Sequence, residues 1–199
     1  MTLDALFRRQ LPDGSFGRFH SMSQGSDITT EKALRRCLFL GLDKTHPGLK
    51  RILDYVKKCL NREIVIPDRQ EKVGQWDCFL DLMFSTWLTL FDDGTKQVTP
   101  VVKQWVTLIE SSIMDNRFDF HHYSHQNQQL FGKIRSGQRV IDPTNFYVVA
   151  LLRRRLSQPV SRGFFDYVME KGIYYIYGQD LRVLPERFDD QKTIHYLIA

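Results

Sequence analysis

The stretch from Gln70 to Trp87 constrains this chain more than any other. It reads Gln70-x-x-x-Gly74-x-Trp76 and leads into a run, Cys78 to Phe91, whose only charge is Asp81. A helix apolar on nearly all sides has to be covered on most of them, so this segment is expected to be an inner helix. The Gln/Gly/aromatic spacing returns in weaker form on both sides, as Gln10, Gly14 and Phe16 and as Gln128, Gly132 and Ile134. A second feature repeats alongside it. Pro47, Pro100 and Pro159 are each followed three residues later by a base, Lys50, Lys103 or Arg162. Apolar residues then occupy equal offsets: Ile52, Leu53 and Val56; Trp105, Val106 and Ile109; Phe164, Phe165 and Val168. Such offsets share one side of a helix, and proline is tolerated in a first helical turn, where its missing N–H costs nothing. Two features returning at a spacing of about 60 residues predict a repeated helical unit.

In chain order, Leu3 to Arg9 reads as a short helix ending before the turn Leu11-Pro12-Asp13-Gly14. Asp27 or Thr29 is positioned to cap a helix whose inner stripe is Leu34, Cys37, Leu38 and Gly41. A second helix follows Pro47 and turns Leu49, Ile52, Leu53, Val56 and Leu60 inward. Ile64-Val65-Ile66, before Pro67, is expected to be an extended linker. Asp92-Asp93-Gly94 stops the inner helix, and Val98 to Met114 is its partner, facing in with Val102, Trp105, Val106, Ile109 and Ile113. Phe118 to His125 is the least repeat-like part and is expected to connect. Helices over Thr144 to Leu156, capped at Asp142 or Thr144, and over Val160 to Tyr177, bent at Gly172, complete a third hairpin. The expectation is an all-α single domain, 1–199, with repeats near 3–62, 63–116 and 117–178 and a tail from 179 to 199.

Composition bounds the rest. With 199 residues and 42% hydrophobic content, the chain is long enough for one sizeable core. The formal charge of +5 comes from bases scattered over helix faces, with Arg153, Arg154 and Arg155 the only run of three, so a nucleic-acid partner is not expected. Cys37, Cys59 and Cys78 are odd in number and fall within helices, which points to a reducing setting. The first residues lack a signal-peptide apolar region, and no uncharged run approaches about 18 residues, so a soluble cytoplasmic protein without a membrane span is expected.

Gln-x-x-x-Gly-x-Trp recurring with helical hairpins resembles the QW-type repeat of the terpenoid cyclase and protein prenyltransferase superfamily, whose hairpins close into an α/α toroid. The form Leu11-Pro12-Asp13-Gly14-Ser15-Phe16-Gly17 and the Asp near each following helix start, Asp27, Asp81 and Asp142, belong to the same resemblance. It implies that the Gln amide satisfies backbone groups while the aromatic ring packs over a neighbouring hairpin. It also implies three hairpins forming half a ring, an open arc whose uncovered inner helix calls for a second copy or a partner protein.

The resembled chemistry departs at particular positions. In prenyltransferases an Asp-x-Cys-Tyr-Ser-Phe-Trp stretch supplies zinc ligands. The matching Asp81-Leu82-Met83-Phe84-Ser85-Thr86-Trp87 places a thioether where the thiolate belongs, so the motif does not support zinc. The cyclase Asp-x-Asp-Asp acid is reduced to Asp92-Asp93 and Asp189-Asp190. The residues that remain are Asp81 as a catalytic acid, Trp76, Trp87 and Phe84 as contacts for an apolar ligand, and His121 with His125, four apart, as metal ligands. Each has a plainer structural reading: a cap, a packed core ring, a polar contact in a connecting segment. The function expected is a non-catalytic module that binds a protein partner or an apolar ligand. The alternative is an enzyme of the same superfamily acting on an isoprenoid or another apolar substrate.

Overall fold

A computed structural model of the chain describes residues 3–20, 28–68, 75–92, 94–175 and 181–183, with backbone alone for 173–175 and 181–183. Gln70, Gly74, Asp27, Asp93, Asp189 and Asp190, and the tail apart from 181–183, lie outside the described residues. The fold is all-α, with two short strand pairs as its only sheet among the described residues. None of the described helices is long and apolar enough to cross a membrane. The chain divides into two compact units, Met1–Arg69 with Trp87–Gln97, and Gln70–Thr86 with Val98–Ala199.

In the first unit α1 is Leu3–Phe7, α2 Thr30–Phe39 and α3 Pro47–Leu60. Thr29 caps α2 by accepting from the Lys32 amide at 3.2 Å, as its place in the sequence predicts. Gly41 is exposed at φ +68 and ends α2 rather than lining it. The amide of Leu42 bonds the Cys37 carbonyl and that of Gly41 the Leu38 carbonyl, which closes the helix end with two otherwise free acceptors satisfied. Pro47 opens α3 under a His46 cap, and Leu49, Ile52, Leu53, Val56 and Leu60 are all buried. The segment after α3 forms no regular element up to residue 68, with Ile66 buried and Val65 exposed.

Helix α4, Trp76–Phe91, contributes to both units. Phe79, Leu80 and every residue from Leu82 to Thr89 are buried within one chain. The inner-helix expectation therefore holds, and the expectation that its cover needs a second copy does not.

In the second unit a 3₁₀ turn at Lys96–Val98 leads into α5, Thr99–Ser111, with Pro100 in its first turn. Its buried residues are Val101, Trp105, Leu108 and Ile109, so Trp105 and Ile109 face in as predicted, while Val102 and Val106 of the predicted stripe are only half-buried. The helix also stops earlier than expected. Ile113–Met114 is strand β1, paired antiparallel with β2, Arg117–Phe118, through a two-residue turn in which Asp115 and Asn116 both have positive φ. The expected connecting segment is instead helix α6, Phe120–Phe131, capped by Asp119. Helix α7, Phe146–Leu152, is shorter than predicted and is capped by Asn145, while α8, Gln158–Lys171, carries Pro159 in its first turn. Gly172 ends α8 at φ +78, and the chain turns into strand β3, Ile173–Tyr175, which pairs with β4, Leu181–Val183. Helix α5 is the element on which α6, α7 and α8 pack. Helix α8 approaches the β1–β2 turn so closely that a Cβ at Gly163 would lie 2.6 Å from the Asn116 carbonyl oxygen.

Candidate functional site

The candidate acid, Asp81, sits half-buried in the first half of α4, one turn after Cys78. Helix periodicity places these two on one side, and the effect is visible in their electrostatics. Burial, and after it the Asp81 carboxylate, pushes the Cys78 thiol well above the ordinary range. A thiol in that state stays protonated at neutral pH and is not a nucleophile.

Tyr123 of α6 belongs to the same neighbourhood. It is fully buried, and its hydroxyl donates to the Ile141 carbonyl at 2.6 Å. Burial raises its pKa, and the nearby Asp142 and Cys78 raise it further. Asp142 is occupied locally, accepting from the Thr144 amide and hydroxyl, both at 2.8 Å. Asn127, one turn on from Tyr123, has 0% exposure and an Oδ1 without a hydrogen-bond partner among the described residues. Cys78, Asp81, Tyr123, Asn127 and Asp142 thus bring two carboxylates, a phenol and a carboxamide into one part of the second unit. The phenol and the Asp142 carboxylate are already hydrogen-bonded within the fold, and the Asn127 Oδ1 is left as an open acceptor among the described residues.

The other residues singled out in the sequence fall elsewhere. Trp76 is half-buried and stacks on Phe79 at 5.5 Å. Phe84 is 1% exposed and Trp87 0%, so both rings are closed into packing. Met83 is fully buried on α4, and the pair Asp81 and Met83 does not fit the zinc chemistry of the resembled transferases. His121 and His125 are exposed on α6. Among the described residues, no group of three or more His, Cys, Asp or Glu is placed to hold a metal ion together.

The Gln/Gly pairs behave unequally. Gln10 donates to the carbonyls of Gly14 at 2.9 Å and Gly48 at 3.0 Å. Gln128 instead reaches the Ser124 carbonyl within its own helix at 3.4 Å. At α4 it is Gln75, outside the motif and at φ +66, that donates to the Gly132 carbonyl.

Sequence reasoning passed over a buried polar cluster in the first unit. The Asp68 carboxylate has a fully buried side chain and accepts from the amides of Phe19 at 2.6 Å and His20 at 2.7 Å, with the His20 ring at 3.2 Å. Glu31, also fully buried, pairs with Arg35 at 2.9 Å, and the Arg35 guanidinium lies over the Trp87 ring, 5.4 Å from its centroid. A residue separation of 48 between His20 and Asp68 leaves no local pattern to read. The Glu31–Arg35 pair is the readable part, being four apart on a predicted helix.

No protein-family model, no curated protein and no solved structure matches this chain.

Proposed function

We propose that this chain is a non-catalytic helical binding module that docks on a protein surface, the simplest being a second copy of itself, and that it is built on the α/α-toroid plan its sequence resembles. One observation carries the reading. The first unit leaves Phe39 75% exposed and Leu40, its neighbour in sequence, 51% exposed. Single exposed apolar residues are ordinary. A consecutive Phe-Leu at a helix end is a contiguous apolar surface, of the kind that a partner covers. Closure of Trp87 and Phe84 into packing weighs for a protein partner over an apolar ligand. The setting we propose is the cytoplasm, where three cysteines without a disulfide persist as thiols. Sedimentation velocity across the micromolar range tests the proposal. A wild-type dimer that Phe39→Ser with Leu40→Ser shifts to monomer supports it, and a wild type that is strictly monomeric throughout, with the double variant indistinguishable from it, overturns it.

A second reading is an enzyme of the resembled superfamily acting on an isoprenoid or another apolar substrate. The gathering of Asp81, Tyr123 and Asp142 favours it. Turnover of a prenyl diphosphate or a linear polyene by the wild type, abolished in Asp81→Asn, would establish that reading, and its absence in the wild type would remove it.

A further inference from the structure

Helix α6 is chemically unlike the others. Its sequence, Phe-His-His-Tyr-Ser-His-Gln-Asn-Gln-Gln-Leu-Phe, contains no Asp, Glu, Lys or Arg, in a chain where 26% of residues are charged. The buried residues of the helix are Tyr123 and Asn127, one turn apart. On the outer side stand His121, His125 and Gln129, all exposed and each four residues after the last. A helix face turned to water is ordinarily carried by charged side chains. Here imidazole and carboxamide groups do that work, and no cation on the helix opposes a bound metal ion.

Residues four apart on a helix have Cβ atoms about 5–6 Å from one another, close enough for two imidazoles to reach a single ion. The scaffold beneath them is fixed. Asp119 caps the helix by accepting from the His122 amide at 2.6 Å, and Tyr123 ties it to the Ile141 carbonyl. A chelate whose backbone is already held loses less entropy on binding. The Gln129 amide nitrogen stands 2.9 Å from His125 Nε2. A carboxamide N–H donates, so this geometry leaves Nε2 as the lone-pair nitrogen, and a metal ion would take the place of the amide. His122 leans the other way, half-buried with the Gln126 amide at 3.5 Å.

We propose that His121 and His125 chelate one divalent transition-metal ion on the outer face of α6, with water filling the remaining positions. Imidazole nitrogen selects zinc, nickel or copper, whereas magnesium and calcium take oxygen donors. The site belongs to the second unit, the proposed protein-docking surface to the first, and the one does not depend on the other.

Calorimetric titration of the full chain, carrying no affinity tag and stripped with chelator, tests this with Ni²⁺ and, separately, Mg²⁺. The expected result is one Ni²⁺ per chain, no heat from Mg²⁺, and affinity weakened at least about tenfold in His121→Ala and in His125→Ala, each having lost one of two ligands. His122→Ala should stay within about threefold of wild type, since its ring is not part of the chelate. Helical circular dichroism checks that each variant is folded, and acylation of histidines in the wild type gives an independent readout, with Ni²⁺ protecting His121 and His125. Failure of the wild type to bind Ni²⁺, binding in the His121/His125 double variant equal to wild type, or affinity that follows His122 in place of His121 would overturn the proposal.

Discussion

Gln10 folds back along the chain to donate its amide to the carbonyl of Gly14 at 2.9 Å, and the same nitrogen donates to Gly48 in the first turn of α3 at 3.0 Å. The Gln-to-Gly spacing of the motif is thus a physical link in its first copy. Gly14 is held at φ +94, and a Cβ there would run into the Arg51 carbonyl of α3. Gly14→Ala should therefore cost more than Gln10→Ala: about 2–4 kcal/mol for backbone strain with a steric clash, against about 1–2 kcal/mol for two partly buried hydrogen bonds. Urea unfolding of both variants checks the order. Equal losses would mean that the loop relaxes without cost.

The aromatic position of the second motif copy is weaker than the motif suggests. Trp76 is half-buried, resting on Phe79, while Trp105 is 0% exposed and packs on Phe131 at 5.3 Å. Truncation of a fully buried ring leaves a cavity as well as losing its transfer energy. Trp105→Ala should cost about 3–5 kcal/mol, and Trp76→Ala about 1–2 kcal/mol, in proportion to the area each ring hides. The reverse order in denaturant midpoints would mean that Trp76 packs over its neighbours as the resembled motif implies.

What could be read from the sequence was whatever local chemistry dictates. Pro47, Pro100 and Pro159 each stand in the first turn of a helix, because a fixed φ and a missing N–H suit few other places. The stripe of α3 and the apolar girth of α4 were legible for the same reason. The β1–β2 hairpin was not, since its turn is Asp115–Asn116 and lacks the glycine that usually announces a left-handed pair. Helix α6 escaped because only Tyr123 and Asn127 of it are fully closed off from solvent, too few to produce a hydrophobic period. Its signals were Asp119 before the run and Gly132 after it. In the candidate site, Asp81 was legible as a charge in an apolar helix. Tyr123 and Asp142 were not, because tertiary packing alone brings Tyr123 near Cys78 and Asp142 near Tyr123.

The Asp119 cap offers a direct check on α6. Its carboxylate accepts from the His122 amide at 2.6 Å at the helix start. Asp119→Ala should destabilise the protein by about 1 kcal/mol, and Asp119→Asn by less, since the carboxamide oxygen still accepts. Amide exchange should quicken at His121 and His122 before it does at Tyr123, which the Ile141 carbonyl restrains. Uniform quickening along α6 would mean that this helix opens only with the whole unit.

The buried thiols of the first unit should set an alkaline limit on stability. Burial pushes Cys37 up from 9.0 to about 12, and Cys59 to about 11 against the lowering hydrogen bond from Tyr55. Both side chains are closed to solvent, at 0% and 1% exposure. A folded-state pKa above the unfolded one means that the unfolded chain releases its proton first as pH rises. The stabilisation is therefore complete below about pH 9 and is lost as pH climbs toward the folded values, at up to about 1.4 kcal/mol per pH unit for each thiol. Between pH 9.5 and 11 the wild type should lose stability more steeply than Cys37→Ala/Cys59→Ala, by about 2 kcal/mol per pH unit. Parallel slopes for the two proteins in urea unfolding would show that these thiols ionise in the folded chain as easily as in the unfolded one, and that the first unit's interior admits water.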